Sequence, residues 1–153
     1  MLNGLILKGV LFSVLLLIAA VWDIRKREIP DRIPLLIFLT GFLLIKPLDA
    51  FLGLVVTVLP YLTAAVLSRK REGFSIGGGD IKLMAACGFV LGIWCGILQS
   101  ITALSLSLAI GIGICLFVRK KKLNTVTLPL APFFCAGGIF SYGMMLICTM
   151  KQL

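Results

Sequence analysis

The 153-residue chain is 60% apolar, only 14% charged and free of His, with a mean hydropathy of +1.14. A fold of this length cannot hide so much hydrocarbon in one water-soluble core, so lipid is the solvent for most of it and an ordinary soluble domain is excluded. The net charge of +9 sits in tight clusters between apolar runs, and no basic face interleaved with polar and aromatic residues offers a surface to nucleic acid.

The first apolar run, Leu5–Trp22, approaches the ~20 residues that a bilayer crossing requires. Small residues at Ala19 and Ala20 suggest a cleavable secretory signal, but the strongly basic stretch follows this run instead of preceding it, which argues against one. The second run, Ile33–Ile45, would rise only about 20 Å as a helix. Ala50–Leu67, Ile81–Leu98, Ile101–Val118 and Leu128–Met150 complete six candidate spans.

Six crossings put every basic residue except Lys8, Lys46 and Lys151 on one face. The positive-inside rule makes that face cytoplasmic and leaves both termini outside. A re-entrant second segment would split the basic clusters between the two faces, so six crossings are preferred. No linker, repeat or low-complexity tract interrupts the chain. Residues 1–153 are expected to form one membrane-embedded domain, an all-α polytopic bundle of six transmembrane helices.

The cysteines, Cys87, Cys95, Cys115, Cys135 and Cys148, lie inside apolar runs without a C-x-x-C pair. Their odd number and the absence of His argue against a disulfide framework or a His/Cys metal site, and they read as small packing residues. No metal and no cofactor are expected.

The carboxylates are Asp23, Glu28, Asp31, Asp49, Glu72 and Asp80. Asp23 directly follows the first run and Asp80 directly precedes the fourth, so the expected topology brings both to the cytoplasmic end of the bundle. An ionised carboxylate beside hydrocarbon is costly, which makes each a functional candidate. Two that meet cannot both ionise cheaply. One then stays an acid while the other acts as a base on water, chemistry that cleaves an amide without metal. From each acid's own helix dipole, Asp80 at a helix start should be the readier carboxylate and Asp23 at a helix end the later one to ionise.

The run Gly77-Gly78-Gly79 before Asp80 allows close backbone approach, as an extended peptide would need, and lacks the spacing of a phosphate-binding P-loop. The structural alternative pairs Asp23 with Arg25 or Lys26, and Asp80 with Lys82. Lys82 could act on Asp80 or on a substrate carbonyl, but its simpler role is a topology marker that reaches to the interface. Glu28, Asp31 and Glu72 sit among basic residues in loops, and Asp49 lies on the outer side.

Gly77-Gly78-Gly79-Asp80-Ile81-Lys82-Leu83 resembles the GxGD-containing stretch of type IV prepilin peptidases. Asp23 with Arg25, Lys26, Arg27, Ile29 and Pro30 resembles that family's other aspartate motif, and Pro129-Leu130-Ala131-Pro132-Phe133-Phe134 its proline-bearing last span. The resemblance covers nearly the whole chain. It implies a six-span membrane fold with Asp23 and Asp80 as the catalytic dyad, acting on prepilin-like membrane proteins whose short basic leader ends in Gly before an apolar helix.

Where many members carry Asn after the Ile-Pro pair, this chain has Asp31. Longer, bifunctional members carry an additional cytoplasmic region with paired cysteines and methylate the new N-terminus. With no such region in these residues, peptidase activity without methyl transfer is expected. Because the enzyme is itself basic, the leader is expected to meet local acids, Glu28, Asp31 or Glu72, while the apolar helix docks on the spans. The alternatives are a small transporter or channel with Asp23 and Asp80 as ion sites, and a noncatalytic scaffold of a secretion machine.

Overall fold

The computed structural model describes residues 2–44, 46–68, 77–117 and 129–151. Their regular structure is helical: α1 (Leu2–Lys26), α2 (Arg32–Gly41), α3 (Pro47–Ser68), α4 (Gly78–Phe117) and α5 (Ala131–Lys151). In hydrocarbon the backbone N–H and C=O groups have no partner but their own chain, so long apolar runs become helices. Four of the five are long and apolar enough to cross a membrane. The exception is α2, which rises about 15 Å.

Where six separate spans are expected, the described residues form five helices, and the difference lies in α4. At 1.5 Å per residue its 40 residues would extend about 60 Å, twice a hydrocarbon core. The chain avoids this by folding back at Gly92, whose φ of 73° and ψ of −172° leave the helical region. A methyl group added to Gly96 would lie 3.5 Å from the Gly88 Cα, an approach that a continuous helix forbids. Asp49, at the start of α3, accepts the Ile93 N–H at 3.3 Å and so closes the start of the second arm.

The expected break between Leu98 and Ile101 does not occur. Gln99 and Ser100 read as polar punctuation, but both are buried in the second arm, where Gln99 donates to the Phe134 carbonyl at 3.0 Å and Ser100 to the Gly96 carbonyl at 3.1 Å. Gly92→Ala should destabilise the fold by more than about 2 kcal/mol, because this φ and ψ are open essentially to glycine alone and the added carbon would overlap the Asp49 carboxylate. A thermal melt in detergent measures this, and an unchanged midpoint would remove Gly92 as the determinant of the turn.

The helices α1 and α5 run antiparallel. The α5 residue Ala131 meets Asp23 near the end of α1, and Tyr142 donates from α5 to the Leu5 carbonyl at 2.7 Å. Phe12, Leu16, Leu83, Met84, Cys87 and Phe134 fill the core between α1, α4 and α5. The short α2 lies on the first arm of α4 through Phe38, whose ring centroid is 4.2 Å from that of Phe89. Large apolar side chains such as Trp94, Leu48 and Leu116 are left more than 70% exposed, which suits lipid and not water. Lys8, expected as an outer-face marker, is buried on the inward face of α1.

Candidate active site

Two helix ends and the turn after α1 build the site. Helix α1 stops at Arg27, which takes a left-handed φ of 53° while its N–H still donates to the Asp23 carbonyl at 2.8 Å. Pro30 then prevents the helix from continuing. Asp23, in the last turn of α1, is buried and projects on the face that packs against α5. At the start of α4, the Gly77 carbonyl accepts the Asp80 N–H at 3.1 Å and holds the first turn.

Asp23 and Asp80, 57 residues apart in sequence, line one cavity of about 300 Å³. Arg27, Glu28, Ile29 and Asp31 form one wall, and Gly77, Gly78 and Gly79 lead to Asp80 on the other. The glycines matter here at one position in particular. A methyl group on Gly79 would meet the Ile29 Cβ at 3.2 Å, so the two walls touch only because residue 79 has no side chain.

The structural alternative for the acids is not what these helices adopt. Lys82 pairs with Asp31 at 2.7 Å, and Lys26 lies over the Trp22 ring with its ammonium 4.7 Å from the centroid. The Asp23 carboxylate instead accepts the Ala131 N–H at 3.0 Å. Because Ala131 opens α5, Asp23 faces a helix N-terminus, as Asp80 does in α4. The order of ionisation argued from each acid's own helix loses its premise, since the neighbouring helix contributes a dipole of the opposite sense.

Of the other expected residues, Gly77, Gly79, Glu28 and Asp31 line the cavity, and Lys82 stands beside it as the partner of Asp31. With side chains 57% and 73% exposed, this pair contributes only about 0–1 kcal/mol. Glu72 lies outside the described residues. Sequence reasoning placed Arg27 and Ile29 in the aspartate motif without a role in the cavity wall, and gave none to the Ala131 N–H. The proline-bearing motif around Ala131 was the signal for the last of these.

A model of the type IV leader peptidase family matches residues 10–118, which include Asp23 and Asp80. The chain is 38% identical over 139 residues to the prepilin leader peptidase/N-methyltransferase of Bacillus subtilis (strain 168), covering 88% of this chain and 54% of that protein. It thus spans about half the length of this curated relative. No solved structure matches it. A family model matched over most of the chain, through both aspartate motifs, most of α1 and the whole of α2, α3 and α4, identifies this membrane protein as a member of the type IV leader peptidase family.

Proposed function

We propose that the chain is a membrane aspartyl endopeptidase that removes the short basic leader of prepilin-like proteins, with Asp23 and Asp80 as its catalytic pair. The observation that carries this reading is that the two carboxylates, on α1 and α4, line the same cavity. In the proposed reaction one acid is ionised and takes a proton from water, whose oxygen adds to the scissile carbonyl carbon. The other acid gives its proton to the carbonyl oxygen. Collapse of the tetrahedral intermediate breaks the C–N bond, and the amine leaves with a proton returned by the pair.

The proposal treats residues 1–153 as one membrane-embedded peptidase domain that needs no metal or cofactor. It takes α1, α2, α3, both arms of α4, and α5 as six crossings, with the acids at the cytoplasmic face and both termini outside. Supporting this, the Asp23, Ala131, Ile29 and Gly79 contacts gather at one end of the helices, while Asp49 meets the turn at Gly92. Cysteine labelling from the two sides of sealed vesicles tests the topology. Positions 23 and 80 should map to the cytoplasmic leaflet, and opposite leaflets would end the dyad model.

The proposal covers proteolysis alone, although the relative's name carries both peptidase and methyltransferase. Incubating the purified chain with a prepilin substrate and S-adenosylmethionine should yield the cleaved product with an unmethylated N-terminus. A methylated terminus by mass spectrometry would overturn that restriction.

A further inference from the structure

Segment 27–31 forms one wall of the acid-lined cavity and meets the opposite wall through Ile29 against Gly79 and Asp31 against Lys82. A peptide presented in extended form must pass between these walls to set a carbonyl between Asp23 and Asp80. We propose that the Asp31–Lys82 pair is an exchangeable latch: a cationic side chain of the substrate takes the place of Lys82 on Asp31, which releases segment 27–31 from α4 and opens the cavity. The inference rests on the peptidase reading and adds the residues that select for positive charge.

Three features of the latch carry it. Both partners are more than half exposed, so a competing ammonium group reaches Asp31 without first breaking a packed core. Trading one cation for another on the same carboxylate leaves the number of ion pairs unchanged, and the exchange costs little. Next, the wall segment is the turn that leaves α1 at Arg27, where a left-handed backbone ends the helix, so the residues that would shift lie outside it.

The sign of the local charge agrees. Among the described residues, Asp23, Glu28, Asp31 and Asp80 line the cavity with Arg27, a net negative lining in a chain of net charge +9. A cationic segment is repelled by the molecule as a whole and attracted at this mouth. Screening confines both effects to about 10 Å at 0.1 M salt, so the local acids govern the last step of approach.

The test uses the full chain in nanodiscs with two synthetic peptides. Each has a short leader ending in Gly and an apolar helix, one leader carrying lysines and the other glutamines in their place. The lysine peptide should raise amide hydrogen exchange across residues 27–31 and should show a KM lower by up to about fivefold, an advantage that fades toward about 0.5 M salt. Exchanging the partners, Asp31→Lys with Lys82→Asp, re-forms the pair and should shift preference to a peptide bearing glutamates.

Equal KM values for the lysine and glutamine peptides at low salt would overturn the latch. So would an exchanged variant that still prefers lysine. If that variant does not fold, the salt and charge dependence of the unmodified chain decides. Exchange that rises with the lysine peptide while neither peptide is cleaved would sink the peptidase reading and leave the latch standing. Cleavage without charge preference would do the reverse.

Discussion

Asp23→Asn and Asp80→Asn should each lower leader removal by at least about a thousandfold, with helix content and melting temperature unchanged. Asn has the shape of Asp and keeps an oxygen acceptor, so in the Asp23 variant the Ala131 N–H retains its 3.0 Å partner. What is lost is only the ability to hold and return a proton. The Ala variant is a poorer probe at this position, since leaving that buried N–H unpaired costs about 1–3 kcal/mol and mixes stability with chemistry.

The double variant should be no slower than either single one, because two groups that act as one unit are not additive when removed. Co-expression with a candidate prepilin, scored by the mobility of processed and unprocessed forms, gives the measurement. Undiminished processing by either single variant would end the dyad mechanism and favour a scaffold. A transporter would lose ion flux in these variants and leave the leader uncut in every form of the protein.

Gly88→Val should destabilise the protein by more than about 4 kcal/mol, or prevent its accumulation. A Cβ at Gly88 would overlap the Thr57 hydroxyl and lie 2.6 Å from the Gly53 carbonyl oxygen. The Gly53 contact is with backbone, which cannot rotate away. Thr57 is also committed, donating to the Gly53 carbonyl at 2.8 Å across from Met84. Forcing α3 from α4 would displace the helix whose first turn carries Asp80, so cleavage should fall together with stability. Gly113, with nothing within 4 Å of its added carbon, is the control: Gly113→Ala should be neutral or slightly stabilising. A thermal melt in detergent separates these outcomes, and a well-folded Gly88→Val protein would show that the crossing is looser than drawn.

Much of the site was legible because its acids are scarce and stand where apolar runs stop. Asp23 and Asp80 mark the end of α1 and the start of α4, and an isolated carboxylate at a span end is visible in any hydropathy reading. The turn at Gly92 was not, since a glycine in a continuous apolar run resembles a packing residue until its backbone angle is known. Gln99 and Ser100 misled for the complementary reason. Polarity marks a helix end only when the side chain has no partner inside, and both find carbonyl acceptors in the bundle. The partner of Lys82 was hidden as well, because Asp31 lies 51 residues away and only the tertiary fold brings the two together.

The short α2 and the first arm of α4 lie side by side, with the Phe38 ring against Phe89. Their lengths, about 15 Å and 21 Å, fall well below a hydrocarbon thickness of about 30 Å, whereas α1 and α5 match or exceed it. Lipid bordering that flank must pinch to meet it, at a penalty of fractions of a kcal/mol per Å of mismatch. On the proposed peptidase reading, a thinner bilayer beside Asp80 would shorten the path by which water enters and weaken the grip of acyl chains on a substrate helix that has to unwind at that point.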